Sequence, residues 1–190
     1  RVISFQLGAG CSVTAIDRGR SQDTSMGFSP LEGLVMATRS GDLDPGVLIH
    51  LMRERRLDAA ALEDMIDRRS GLLGISGISN DMRDLLDSPE PAARLAVDYF
   101  VYQAAKQIGA LAAVLGGMDA LIFTAGIGER SAEIRRRICE ASAWLGLELH
   151  HAANNDHGPR ISTSGSTVSA WVIPTNEELM IAMHAWRLLA

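Results

Sequence analysis

The sequence predicts an α/β domain built on a mixed sheet with helices packed against it. Two patterns carry this. The chain opens on two strand-like runs, RVISFQLG and CSVTAI, joined by a Gly-rich turn, as in a hairpin. Further on, the strand-like runs DALIFT and Thr167 to Pro174 alternate with helix-patterned stretches. A sheet fed from both sources is mixed. Composition agrees: 190 residues, 47% hydrophobic and 22% charged, suit one domain with a proper core.

The elements follow in order. The hairpin closes with a turn at Asp17-Arg18-Gly19. Asp23 to Pro45, DTSMGFSPLEGLVMATRSGDLDP, is too irregular for a helix or strand and too apolar for a solvated linker. Its glycines and prolines predict a pocket-lining loop around Arg39, which is flanked by Asp42 and Asp44. Pro45 to Arg56 and Asp58 to Arg68 read as helices, the second capped by Asp58. Ser70 to Ser79 is small and Gly-rich, with Gly71, Gly74 and Gly77 evenly spaced. It suits a loop wrapped on a ligand or on other backbone, or equally a tight packing crossover. Ala92 to Leu115 is the best helix, with Leu95, Phe100, Val101, Ala104, Ile108, Leu111 and Leu115 at helical spacing and Gly116-Gly117 closing it. Asp119 to Thr124 is a buried-type strand, Ala125 to Glu129 a Gly turn, and Ser131 to Leu145 a helix started by Ser131. His150 to Ser166 reads as a loop with a weak strand, Thr167 to Pro174 as a strand, and Asn176 to Leu189 as the last helix.

Several function classes are excluded. A net charge of −5 with Lys106 as the only lysine leaves no basic footprint for nucleic acid. An acidic chain still binds polyphosphate when glycine-loop amides and Mg²⁺ carry the contact. The longest apolar stretch, Leu95 to Leu115, is broken by Asp98, Gln103, Lys106 and Gln107, short of the ~18 uninterrupted residues of a membrane span. Cys11 and Cys139 match no metal spacing, which predicts a reduced, cytoplasmic chain. The first residues already read as strand, so polypeptide is expected before Arg1.

Chemistry concentrates in five places. Arg39 is a fixed planar cation suited to carboxylate or phosphoryl oxygens, or else it ties the loop to Asp42 or Asp44. Gly8 and Gly10 let backbone amides approach an anion, though hairpins use such glycines anyway. Gly126 and Gly128 stand between strand and helix, where free amides meet a ligand or where the backbone merely packs closely. Asp81 and Arg83 are a site or a surface ion pair. Glu177 and Glu178 bind a cation or complement a helix dipole. The five histidines have no ligand spacing.

DTSMGFSPLEGL…TRSGD resembles the signature of the acetate kinases, the acetate- and propionate-phosphorylating branch of the actin-like ATPase superfamily. Similar blocks recur in order as QLGAG, SGLLGISGISNDMRD, FTAGIGER and IPTNEEL. The whole looks like the carboxy-terminal half of such a kinase, with the amino-terminal half missing. The resemblance implies a ribonuclease-H-like lobe: residues 1–190 as one carboxy-terminal nucleotide-binding domain of a two-domain kinase. It implies reversible transfer of phosphate from ATP to acetate by in-line displacement, with propionate or butyrate as alternative acids. A degenerate relative that binds nucleotide without turnover is the alternative from outside the enzymes.

The resemblance also implies roles. Arg39 is catalytic, binding the carboxylate and stabilising the phosphoryl group in transfer. Gln6, Leu7, Gly8, Ala9 and Gly10 form a phosphate turn; Asp81, Met82 and Arg83 contact nucleotide; Gly126, Ile127, Gly128, Glu129 and Arg130 cradle adenosine and nearby phosphate. Pro30 and Phe28 wall the acid pocket, and Glu177 (Glu178 if the register moves by one) serves Mg²⁺. Gln6 stands where the family has histidine, Ala9 and Arg130 where it has asparagine, and Ala37 where it has glycine. The implied partners are adenine nucleotide, a small carboxylic acid, the missing amino-terminal domain and a second copy. The chain alone is expected to be inactive.

Overall fold

Alternation in the first strand organises the domain. In the computed structural model, which describes residues 1–189, β1 (Val2–Leu7) buries Ile3, Phe5 and Leu7 and leaves Val2, Ser4 and Gln6 at least partly exposed. Side chains alternate across a strand, so β1 presents one apolar face. Antiparallel β2 (Cys11–Asp17) sets buried Cys11, Val13 and Ala15 opposite Leu7, Phe5 and Ile3. β3 (Arg20–Thr24) pairs on the outside of β2. On its other side β1 pairs in parallel with β4 (Ala120–Thr124), and β4 in parallel with β5 (Ser169–Val172). Leu121 and Phe123, then Ala170 and Val172, extend the apolar row. The order is β3-β2-β1-β4-β5, a mixed sheet. Phe5 and Phe123 stack across the parallel pair with centroids 5.9 Å apart.

Helices cover that face. α1 (Pro45–Glu54), α2 (Ala59–Arg68), α3 (Gly71–Ser76) and α4 (Met82–Asp87) precede the 25-residue α5 (Pro91–Leu115), which lies across β1, β2 and β3. α5 buries Ala93, Ala96, Val97, Phe100, Ala104, Ile108 and Leu111 and stops at Gly116, whose φ of 65° suits only glycine well. Leu95, read as a core position, is exposed, and Ala93, Ala96 and Val97 take the core side of that turn. α6 (Ala125–Arg130) and α7 (Ala132–Ala141) follow β4, and a 3-10 turn covers Ala143–Leu145. α8 (His151–Asn155) and α9 (Glu177–Leu189) complete the described chain. Asp58 caps α2 by accepting from the Ala61 amide at 2.8 Å, and Ser131 caps α7 through the Ile134 amide.

Four expectations need correction. Asp23 and Thr24, read as the start of the pocket loop, end the exposed strand Arg20–Thr24, because Arg18 and Gly19 at φ 50° and 78° make a turn that returns the chain alongside β2. Ala125 to Arg130 is helical rather than a turn. His151–Asn155 is a helix within the stretch read as loop. The Ser70 to Ser79 stretch begins with α3, and its close approach is to backbone. The Leu72 amide donates to the Met36 carbonyl at 2.8 Å and the Ser70 amide to Thr38 at 2.9 Å.

No helix among the described residues is long and apolar enough to cross a membrane. Cys11 and Cys139 are buried and unpaired, and burial pushes both thiols up to about 12.

Gly71 has a φ of 63°, and a Cβ there would collide with the Met36 carbonyl oxygen. Gly71→Ala is expected to cost roughly 2–3 kcal/mol, combining left-handed strain with displacement of the Arg39 loop. Urea denaturation measures it; an unchanged midpoint would mean that the two backbones do not meet as described.

Candidate functional site

Because β1 and β4 run parallel, their carboxyl ends leave the sheet at the same edge. There the turn after β1 and helix α6 after β4 border one cleft of about 640 Å³. Ligands of open α/β sheets bind outside the carboxyl ends of strands, and the volume suits a small-molecule ligand. The start of α4 supplies the third wall, so Gly8, Ala9, Asp81, Met82, Arg83, Gly126, Ile127 and Arg130 share one rim. Residues some 120 positions apart in sequence meet here.

The turn after β1 is held by its own backbone. The Gly8 amide donates to the Gly10 carbonyl at 3.0 Å, and the Ala9 carbonyl accepts from the Ala37 amide at 3.1 Å. This second bond couples the turn to the Arg39 loop through main chain alone. A Cβ on Gly10 would come within 3.1 Å of Arg39 Nη1, so glycine makes room for the guanidinium. Leu7, by contrast, is fully buried in the core.

Arg39 is about one-third exposed. Its Nε lies 3.3 Å from Asp67 Oδ1, and its Nη1 donates to the Pro30 carbonyl at 3.3 Å. The partner is therefore Asp67 on α2, not Asp42 or Asp44. Those two act locally: Asp42 accepts from the Gly33 amide at 2.7 Å and Asp44 caps α1 through Gly46 at 2.7 Å. Asp67 is easily missed because it sits 28 positions downstream, past a whole helix. Pro30 reaches Arg39, but the Phe28 side chain is fully exposed and encloses nothing within this chain.

On the third wall Asp81 caps α4 by accepting from the Arg83 amide at 2.9 Å and pairs with the Arg83 guanidinium at 2.5 Å. The hydrogen bond from Arg83 holds the Asp81 carboxyl down at about 2. Met82 lines the cleft with little of its side chain exposed.

α6 divides its residues between two jobs. Gly126, Ile127 and Arg130 face the cleft. Gly128 is buried, with Phe123 and Leu7 close to where its Cβ would stand, which is close packing. Ala125 takes the strained left-handed φ of 63°, and its amide donates to Glu129 Oε1 at 2.9 Å. The same oxygen accepts from the Thr175 amide at 3.0 Å and hydroxyl at 3.3 Å, so Glu129 joins α6 to the segment before α9.

Glu177 opens α9 and accepts from Gln6 Nε2 at 3.2 Å. No group of three or more His, Cys, Asp or Glu among the described residues suits a metal ion. A lone exposed carboxylate still fits Mg²⁺, which keeps waters and shares phosphate oxygens rather than needing a protein cage.

Sequence reasoning passed over Arg135. It is the only buried charged residue among those described, and it bonds to the Gly128 and Glu129 carbonyls behind the cleft. A signal existed: Arg135 shares a helical face with the buried Ile138 and Cys139.

Comparison with known proteins gives one consistent result. The model of the acetokinase family matches residues 1–183. An acetate kinase of Rhodopseudomonas palustris is 55% identical over 190 residues, covering 99% of this chain and 48% of that protein. The crystal structure of Porphyromonas gingivalis acetate kinase superposes with a TM-score of 0.94 at 40% identity, covering 100% of this chain and 49% of that one. A propionate kinase from Francisella tularensis superposes at 0.90 with 41% identity, covering 95% and 47%. The chain spans about half the length of the curated relatives it matches.

The Asp81–Arg83 pair can be tested directly. A lowered carboxylate pKa means that the pair's stabilisation is present above the ordinary value of 3.8 and is lost as pH falls through about 2. A carboxyl-carbon NMR titration should put the Asp81 midpoint near 2; a midpoint near 3.8 would show the pair unformed in solution.

Proposed function

We propose that this chain, which belongs to the acetokinase family, is the nucleotide-binding half of an acetate kinase that phosphorylates acetate reversibly with ATP. The supporting observation is the convergence of the β1 turn, the start of α4 and α6 on one cleft, with Arg39 beside the turn. In this reading the amides of the Gly8–Gly10 turn and Gly126 meet phosphate oxygens, and Asp81, Met82, Arg83, Ile127 and Arg130 receive the nucleoside and its phosphates. Gln6, Glu129 and Gly128 hold the rim in place. The guanidinium of Arg39, steadied by Asp67, accepts the acid's carboxylate and then the charge that grows on the equatorial oxygens of the phosphoryl group. Pro30 and Phe28 belong to the acid pocket, closed from outside this chain. Glu177, oriented by Gln6, would hold Mg²⁺, which when bound supplies charge neutralisation of the polyphosphate.

The substitutions at family positions are compatible with this chemistry. Ala9 keeps the backbone bond to Ala37, and Gln6 keeps a polar contact to Glu177. Arg130 adds a cation to the cleft rim. Acetate is favoured by the acetate kinases at about half identity, whereas propionate rests on the Francisella neighbour.

The remaining half of the polypeptide is the first partner in this reading. α9 has no buried residue, and Leu179, Met180, Ile181, Met183, Trp186, Leu188 and Leu189 are all exposed. An apolar helix without a neighbour is unstable in water and requires a second surface. A cytoplasmic homodimer is the assembly this function carries with it.

The test is a hydroxylamine trap for acyl phosphate, run on the complete reading frame with acetate, propionate and butyrate. Product should depend on Mg-ATP, and Arg39→Ala should lower kcat by about 10²- to 10³-fold. Residues 1–190 alone should give none. Folded protein that binds nucleotide yet yields no product with any acid would replace this reading with a non-catalytic nucleotide binder.

A further inference from the structure

A charged side chain removed from water is strongly unfavourable unless it is fully hydrogen-bonded. Arg135 is wholly buried, and every acceptor it meets is neutral. Its Nη1 donates to the carbonyls of Gly128 at 2.9 Å and Glu129 at 2.8 Å. Its Nε donates to Asn154 Oδ1 at 2.9 Å, and its Nη2 to the Asn154 carbonyl at 2.7 Å. His157 Nδ1 lies 3.0 Å from Nη2 and 3.0 Å from the Glu129 carbonyl oxygen. Asn154 is itself buried and fixed by donating from Nδ2 to the Ala132 carbonyl at 2.8 Å.

The carbonyls that Arg135 grips belong to the last turn of α6, whose other residues border the cleft. α6 has six residues, too few to hold its own shape, and it starts from the strained Ala125. Polar anchors stand at both ends: the Glu129 carboxylate on the Ala125 amide, and the Arg135 guanidinium on the closing carbonyls. The two arginines that follow Arg135 in sequence do no such work. Arg136 pairs with Glu133 and Glu140 at the surface, and Arg137 with Asp98 on α5.

We propose that Arg135 is a positioning residue for nucleotide binding. Its buried guanidinium sets the rotation of α6 and thereby where Gly126, Ile127 and Arg130 stand in the cleft. The inference rests on the nucleotide reading of that cleft. Lysine cannot replace it, because one ammonium cannot reproduce the planar fork that reaches the carbonyls of two segments at once.

The test uses the complete reading frame carrying Arg135→Lys or Arg135→Gln, with folding checked by near-ultraviolet circular dichroism. KM for ATP, KM for the acid and kcat are measured, and Mg-ADP binding is followed by calorimetry. Displacing a binding wall by an ångström or less predicts a rise of about 10- to 100-fold in KM for ATP and Kd for ADP, with KM for the acid unchanged. Folded variants with unmoved nucleotide constants would overturn the proposal, and so would equal losses for both substrates, which indicate general loosening. If the Arg135 variants do not fold, Asn154→Ala decides, since it removes the acceptor that fixes Nε and lets the guanidinium shift together with the α6 carbonyls it grips. A selective rise in the nucleotide constants supports the proposal and no rise overturns it. Wild-type protein that binds no nucleotide would sink the cleft reading and this inference together; normal wild-type binding with unmoved variants sinks the inference alone.

Discussion

The parallel pairing of β1 with β4 is the constraint on which the rest depends. It is enforced by burial: Ile3 faces Leu121 and Phe5 faces Phe123, all without solvent exposure. A slip of one residue would turn this row outward and expose it, so the register is strongly specified. With register and direction fixed, the chain must leave both strands at the same edge. The Gly8–Gly10 turn and α6 are neighbours for that reason. α5 packs behind this arrangement across β1, β2 and β3.

On that frame the site is assembled by main-chain approaches more than by side-chain pairs. The Arg39 loop has little regular structure, yet its backbone bonds to Ala9, to Ser70 and Leu72 at the start of α3, and internally from Met36 to Arg39. Glycine at position 71 permits the approach to the Met36 carbonyl, and glycine at position 10 leaves room for the Arg39 guanidinium. Such a loop keeps its shape without a hydrophobic core of its own. It also explains why Asp67, on a helix that borders no cleft, meets Arg39.

The sequence made the sheet and its long helix legible because both are written in hydrophobic period. Ile3, Phe5 and Leu7 alternate, and the α5 residues recur every three or four positions. β3 was hidden because Arg20 to Thr24 is polar throughout; a left-handed turn and backbone pairing create it. α3 and α6 were hidden by glycines that ordinarily argue against helix, here overridden by tertiary contacts. The cleft residues were found through motif resemblance, and composition alone would have left their glycines ambiguous. Gly128 shows the ambiguity resolving toward packing, Gly126 toward the cleft. Arg135 lay within the run Arg135-Arg136-Arg137, where only the helical face separates a buried cation from two surface ones.

α9 bears on modularity. Glu177 stands at the first turn of a helix that buries none of its residues, while Gln6 and Glu129 reach it and its approach segment from the sheet side. A carboxylate held from the sheet is thus carried by an element that buries none of its own residues. The side chains that meet Glu177 and Thr175 belong to β1 and α6, so a chimera joined at the end of β5 would separate Gln6 and Glu129 from the groups they contact. Exchanging this segment between relatives therefore requires moving β1, α6 and the residues from Thr175 onward together.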